Sequence, residues 1–392
     1  MYGPRSTTPA RQLALLAAVQ VCAMSVWFSA SAVVPALRAE WSLDGEGAVL
    51  LTATVQAGFA VGAVTSAALN LADRLRPHVL MGGGALLAAG ATAAFPWCGA
   101  HWLAAVLRLV TGFALAGVYP VGMKVVVSWF PRHRGSALGV LLAALTAGSA
   151  LPNLLTALNP VRWQAILLIS STLALVGGVL ALAFVRPGPA LVASPPWRPR
   201  YVLAMFADRA QRLVCLGYFG HMWELYALWS WLPVYLAATG AGAGLTTFLV
   251  IGVCGAAGCL LGGVLSDRRG RAVVAMAALL TSGTCAVLSY PAAGLGLLGP
   301  LLVVWGVAVI ADSGQFSAAL AERADHRYVG TALTAMTALG FLFSVVTIQL
   351  LPVAAGLLGW RAAVPLLSVG PLLGAVAMAR LRRFPAPALV RS

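Results

Sequence analysis

Apolar residues in this chain come in long unbroken runs, not in the alternating pattern of a half-buried strand or the striped pattern of a soluble helix. Between short charged segments, residues 13–37, 48–71, 79–95, 103–127, 136–158 and 164–185 are almost wholly apolar, and a second set follows at 213–238, 245–265, 272–290, 297–321, 328–351 and 362–381. At about 1.5 Å of rise per residue, helices of roughly 17–25 residues cross the hydrocarbon layer of a bilayer. The pattern predicts an all-α integral membrane protein with twelve transmembrane helices, numbered one to twelve in this order.

Residues 186–212 interrupt the series. Pro187, Pro189, Pro195, Pro196 and Pro199 forbid one continuous helix there, and Arg186, Arg198, Arg200, Arg209 and Arg212 add charge. The expected organisation is an N-terminal six-helix bundle over 1–185, a linker over 186–212 and a C-terminal six-helix bundle over 213–392. The halves echo one another. Pro35 and Pro233, Gly135 and Gly330, and Trp163 and Trp360 are 198, 195 and 197 residues apart, close to half the chain. Such spacings argue for two pseudo-symmetric bundles made by duplication.

Composition sharpens this picture. The chain is 61% hydrophobic and only 9% charged, against about 25% charged in soluble domains. Its net charge of +15 would suggest nucleic acid in a soluble protein, but the basic residues lie between the apolar runs. Counted by loop, 20 of the 25 Lys and Arg residues fall at the termini, in the linker and after even-numbered helices. Only Arg38, Arg162 and Arg361 fall on the other side, and Arg108 and Lys124 lie within helix four. Cytoplasmic loops carry such an excess, so both termini are expected in the cytoplasm, with the chain in the cytoplasmic (inner) membrane and no nucleic-acid partner. The run from 13 exceeds the 7–15 residues of a signal-peptide core and is expected to stay as helix one. Five of the six cysteines fall inside apolar runs, where they act as small hydrophobes and not as a disulfide framework.

Two charged loops stand out. Gly263, Leu265, Asp267, Arg268, Gly270 and Arg271 lie between helices eight and nine, and Leu71, Asp73 and Arg74 lie at the matching place between helices two and three, Asp73 standing 194 residues before Asp267. This pattern resembles the G-x-L-x-D-R-x-G-R motif of the major facilitator superfamily of secondary transporters. In the first copy Leu69, Arg76 and Pro77 replace the two glycines and the last basic residue. The resemblance implies a fold of two six-helix bundles, a central cavity lined by helices one, four, seven and ten, and a gate on the cytoplasmic side. It also implies that the motif acids hold helix ends together, with the N-terminus of helix eleven, near Tyr328, facing Asp267.

Charge within a spanning helix costs about 2.5–3.5 kcal/mol at mid-depth and therefore needs a partner, water or a function. His221 and Glu224 lie three residues apart near the middle of helix seven. Asp312 lies past the middle of helix ten, with Trp305 seven residues before it on the same face. Arg108 and Tyr119 share a face of helix four, and Trp27 lies on helix one between Gln20 and Ser31. These are candidate solute and proton sites, all on the helices that the resemblance places around the cavity. Arg108 with Gly112 also resembles the family's R-x-x-x-G motif. Lys124, on the opposite face of helix four, is expected to snorkel to the headgroups.

No phosphate-binding loop, paired metal-ligand spacing or nucleophile with an adjacent base is present, so neither an enzyme nor a cofactor is expected. A carboxyl group shielded from water can exchange protons near neutral pH, which suits Glu224 to proton coupling. The expected function is a monomeric secondary transporter working by alternating access, using protons to move a small solute, an organic anion or zwitterion. Drug efflux by proton antiport is the alternative. Its helix-five motif is half present, with Gly139 and Gly148 in place but Pro152 and Asn153 where Gly and Pro belong. A copper carrier using Cys215, His221 and Met222, or a non-transporting receptor, is further from the pattern.

Overall fold

A computed structural model describes residues 8–42, 45–130, 134–158, 161–191, 199–240, 242–325 and 328–384. Eleven helices among the described residues are long and apolar enough to cross a membrane. Helices one to six span Pro9–Trp41, Gly45–Ala68, Pro77–Trp97, His101–Trp129, Arg134–Ala157 and Trp163–Phe184. Helices eight to twelve span Ala243–Arg269, Arg271–Gly294, Leu298–Ala321, Val329–Leu358 and Trp360–Leu381. Helix seven, Arg209–Ala238, has 30 residues and thus ample length, but His221, Glu224 and a series of Tyr and Trp residues dilute its apolar character. The helix that reads least like a membrane span is the one carrying the buried Glu224.

Helix ends follow local chemistry. Thr8 caps helix one by accepting from the backbone N–H of Arg11, with Pro9 in the first turn. Helix seven begins at Arg209, inside the segment expected to be linker, because the Asp208 carboxylate accepts from Gln211 N at 2.8 Å. The linker also forms a short helix, Pro199–Ala207. Helices eight and nine meet at Gly270, whose φ of +87° a side chain would strain. The first copy of the loop turns differently. Asn70 takes the left-handed conformation, at φ 53°, and Pro77 starts helix three, so no glycine is needed where Arg76 stands.

Within each half, glycines let helices cross at backbone contact. A Cβ at Gly58 or Gly62 of helix two would lie 2.0 or 2.5 Å from the carbonyls of Leu109 or Phe113 on helix four. In the second half, Gly258 and Gly262 of helix eight lie against Val307 and Ala311 of helix ten, with the corresponding distance 2.0 Å at both. The duplication is thus written into the packing as two Gly-x-x-x-Gly crossings, the small-residue device of membrane helix pairs. Helix five runs along helix eight, and helix two along helix eleven, closing the two halves against each other.

Among the described residues six spans depart from regular α-helix, helix three in a closing 3-10 turn at Phe95–Trp97 and helix twelve in a 3-10 segment at Val364–Ser368. Helix one is interrupted between Met24 and Ser29, helix four between Leu115 and Tyr119 and helix ten at Asp312, while helix eight contains a π-helical turn, Phe248–Cys254. The breaks lie inside protein, where freed backbone groups can find partners.

The crossing of helices two and four gives a stability test. A Cβ at Gly112 would lie 1.9 Å from the Val55 carbonyl, whereas one at Gly90 meets nothing within 4 Å. Gly112→Ala is expected to cost about 1–3 kcal/mol and lower the thermal unfolding midpoint of the purified protein. Gly90→Ala should leave it unchanged or raise it, because alanine is the better helix former.

Candidate functional site

Helices seven and ten run in opposite directions and are joined by two polar rungs. At one, His221 Nδ1 lies 2.8 Å from Asp312 Oδ1, with both side chains buried. At the other, Glu224 accepts from two neutral donors, Trp305 Nε1 on Oε1 and Ser282 Oγ on Oε2, each at 2.7 Å. Three residues on helix seven thus meet seven on helix ten, and the long indole of Trp305 covers the difference. Asp312 forms the break in helix ten, so one rung holds the point where that helix changes direction. Among the described residues His221 Nε2 has no hydrogen-bond partner, and Asp312 Oδ1, though close to Nδ1, lacks good hydrogen-bond angles.

Ser282 lies on helix nine, outside the four helices expected to line the cavity. Its bond turns the Glu224 carboxyl into the second bundle and away from the seam between the halves. The seam itself is aromatic. Trp27 stacks on Tyr226 at 5.8 Å, Phe59 lies 4.3 Å from Phe341, and Phe28 meets Trp229 edge-on at 5.6 Å. Tyr119 lies 6.5 Å from Phe59, at the start of the second segment of helix four. Trp27, Phe28 and Phe59 come from the first half and Tyr226, Trp229 and Phe341 from the second. All six are buried, so they close the centre of the molecule.

Arg108 lies apart from both acids. Its guanidinium reaches from helix four into the interruption of helix one, where Nη1 donates to the Val26 carbonyl at 2.9 Å and Nη2 to that of Trp27. The serines flanking the interruption help to open it. Ser25 Oγ donates to Cys22 O and Ser170 O, and Ser29 Oγ to Val26 O, competing with the helical ladder. Arg108 is 1% exposed, and its Nε–H has no partner among the described residues. Lys124 reaches the Ala72 carbonyl at 3.4 Å.

The motif between helices eight and nine bridges the two halves on the face carrying the basic loops. Asp267 Oδ2 accepts from the backbone N–H and the hydroxyl of Ser136 at 3.1 and 3.0 Å, and Oδ1 from Arg271 Nη1 at 3.0 Å. Ser136 is in the first turn of helix five. Asp267 therefore faces the N-terminus of helix five and not that of helix eleven, as the resemblance had led one to expect. The reason is geometric: helix eight packs on helix five, so the loop that ends helix eight reaches helix five's first turn. The carboxylate satisfies an N–H without an intrahelical acceptor and sits at the positive end of the helix dipole. A Cβ at Gly135 would lie 2.4 Å from Asp267 Oδ1, and one at Gly263 would lie 2.7 Å from the Gly135 carbonyl, so both glycines permit the approach.

Arg271 continues the network to Ser266 Oγ at 2.6 Å and Glu322 Oε1 at 3.3 Å, and Glu322 lies 3.8 Å from Arg323. Burial draws the Arg323 guanidinium below its ordinary pKa, and the nearby carboxylates of Glu322 and Asp208 oppose that shift. Arg74 and Arg268 are exposed. The Asp73 side chain lies outside the described residues.

Among the sequence candidates, the structure brings Glu224, Trp305, His221 and Asp312 together, sets Trp27 and Tyr119 beside the aromatic seam, and places Arg108 on helix one's backbone. Ser282, Ser136, Glu322, Phe59, Tyr226 and Phe341 were not candidates. Tyr226 and Phe341 follow the cavity-facing periodicity only once the seam is known, and Ser282, one of two serines on helix nine, carries no signal. Among the described residues, no three His, Cys, Asp or Glu side chains are grouped to hold a metal ion.

Twelve spanning helices in two crossed halves, with interrupted helices at the centre and a charged bridge on one face, define a multi-pass membrane protein with a transporter scaffold. A sequence profile described as the Major Facilitator Superfamily matches residues 16–348, and the chain belongs to this superfamily of transporters. A search of curated proteins finds no match.

The bridge at Asp267 can be tested without a substrate. Asp267→Asn keeps the shape but removes the charge, and loss of such a capping interaction costs about 1 kcal/mol. Cys259, 3% exposed, faces Gly139 across the same seam. In a background where Cys22, Cys98, Cys215, Cys254 and Cys285 are replaced, Asp267→Asn is expected to speed labelling of Cys259 by a small thiol reagent about fivefold.

Proposed function

We propose that this protein is a proton-coupled secondary transporter of the cytoplasmic membrane, moving a small organic solute by alternating access, with both termini and the Asp267 bridge on the cytoplasmic side. The observation that carries this reading is Glu224, a buried carboxyl whose hydrogen-bond donors are both neutral. Without a cationic side chain among those contacts, a proton is the natural countercharge. The site accommodates both states, because the Ser282 hydroxyl can donate to a carboxylate or, after rotating, accept from a carboxylic acid. The Trp305 indole only donates, so it favours the charged form. His221 and Asp312 form a second ionisable pair at the break in helix ten, which links protonation to the shape of that helix.

The two rungs lie within one bundle, and the aromatic seam lies between the bundles. On this reading the solute binds between the halves, and the proton binds behind it. Rocking of one half against the other would part the seam on one face at a time. The Asp267 bridge and the packing of helix five on helix eight then serve as the cytoplasmic closure.

Coupling is tested by replacing the proton site. A thermal-shift screen of the purified protein across organic acids, amines and amino acids supplies a solute that binds the native state. In proteoliposomes with an imposed pH gradient, Glu224→Gln is expected to lose accumulation of that solute at least tenfold while still exchanging it between the two sides. If Glu224→Gln accumulates solute normally, Glu224 is not the coupling group.

The charge of the solute turns on Arg108. An organic anion or zwitterion would take guanidinium N–H groups that helix one does not use, Nε–H among them. A specific observation favours the second reading, efflux of cationic compounds: both ends of the Arg108 fork are already engaged by backbone carbonyls. For an anionic solute, Arg108→Lys should weaken direct binding about tenfold or more despite its unchanged charge, because lysine cannot reproduce the fork. For a cationic solute, Arg108→Ala should bind as well as the native protein or better.

A further inference from the structure

Helices seven and twelve cross in antiparallel register, and close glycine contacts fix the levels. A Cβ at Gly217 would lie 2.5 Å from the Met378 methyl, and one at Gly220 would lie 2.4 Å from the Gly370 carbonyl. At the end nearest the basic loops, the Arg209 guanidinium lies 5.3 Å from the centre of the Phe384 ring. On this register Arg212 stands level with Arg380, and Leu216 with Val376.

The outer surface of this helix pair carries two adjoining rows at a spacing of seven residues, Arg209, Leu216 and Trp223 on helix seven and Leu366, Leu373 and Arg380 on helix twelve. The rows meet at their far ends, where Trp223 Nε1 donates to the Leu366 carbonyl at 3.5 Å. Leu216 is 48% exposed and Leu373 67%. On membrane-spanning helices such side chains face acyl chains. Arg209, Arg212 and Arg380 are exposed at the other end, on the face carrying the basic loops.

Charge is unbalanced at that end. Among the described residues, no acid lies within ion-pair distance of Arg209, Arg212 or Arg380. Asp208 turns Oδ1 to the N–H of Gln211, and Arg323, which reaches the Phe384 carbonyl, brings Glu322 as its own partner. Arg212 donates Nη1 to the Phe206 carbonyl and keeps most of its N–H donors for another acceptor. A single arginine at a helix end needs only water. Three arginines gathered from two helices at the head of one apolar surface match an anionic headgroup with its acyl chain beneath.

We infer that the outer surface of helices seven and twelve binds an anionic phospholipid, its headgroup on Arg209, Arg212 and Arg380 and an acyl chain along Leu216 and Leu373. The lipid ties the start of helix seven to the end of helix twelve. It thereby steadies the span that carries His221 and Glu224.

The test uses the full-length protein in neutral detergent and reads its thermal unfolding midpoint, which a native-state ligand raises saturably. The probes are short-chain phosphatidylglycerol, phosphatidylcholine of the same chain length, and glycerol 1-phosphate. A saturable rise is expected with phosphatidylglycerol and with neither of the others at equal concentration. Its half-saturating concentration should increase about tenfold or more in the double variant Arg212→Gln with Arg380→Gln, and severalfold in Leu373→Asn, which keeps the charge but spoils the acyl contact. The double variant Arg11→Gln with Arg76→Gln removes as much charge from exposed positions on the same face of the first half, and should shift it by less than about twofold. An equal loss in both double variants would mean that diffuse surface charge suffices. An equal response to phosphatidylcholine or to glycerol 1-phosphate would mean that no anionic lipid is selected. Either result, or no saturable rise with phosphatidylglycerol, overturns the proposal.

Discussion

A backbone in hydrocarbon must satisfy its own hydrogen bonds, and this constraint shapes the interior of the protein. Regular helix meets it automatically. Every interruption must be met by something else, and helix one shows how. Its interruption frees the carbonyls of Val26 and Trp27, and the Arg108 guanidinium is inserted from helix four to donate to them. One buried charge thereby gains partners, and the Trp27 carbonyl avoids isolation, while that of Val26 accepts from Ser29 Oγ as well. The interruption in turn lets Trp27 and Phe28 face the second half, where they meet Tyr226 and Trp229.

Rigidity and mobility are divided between different kinds of contact. Inside the halves, glycine crossings bring helix backbones together, and nothing but a matching surface could replace them. Between the halves, the seam consists of aromatic faces, glycine contacts along helices five and eight, and the Asp267 bridge. Aromatic rings can slide and re-stack at modest cost, and a carboxylate on a helix end can be exchanged for water. The polar rungs of helices seven and ten belong to the rigid side of this division, since both lie within the second half.

The sequence made the spans legible because hydrocarbon thickness imposes a length and excludes charge, although helix seven starts early on the Asp208 cap and helix eleven runs on past its expected end to Leu358. The buried charges were equally visible, since any acid eleven residues or more into an apolar run stands out. Their partners were less so. Ser282 is one serine among many, and only three-dimensional packing shows that helix nine supplies a donor to Glu224. The expected partner of Asp267 was wrong in an instructive way: duplication makes helix eleven the counterpart of helix five, but the loop after helix eight reaches the helix that helix eight packs on. Arg108 read as a charge awaiting a solute because sequence shows the side chain and not the broken helix beside it. The first motif copy looked degenerate for a reason that backbone geometry explains, since Asn70 and Pro77 make a turn that does not use a glycine.

The bond from Trp305 to Glu224 has an optical consequence. An indole whose N–H ends on a carboxyl group lies in that group's electric field, and its absorption and emission energies depend on the field along the ring. Gain or loss of charge on Glu224 therefore changes the spectrum of Trp305 from within the protein. With the other tryptophans replaced by phenylalanine where packing allows, the ionisation of this buried acid becomes readable as a colour shift, without a dye and without knowing what the transporter carries.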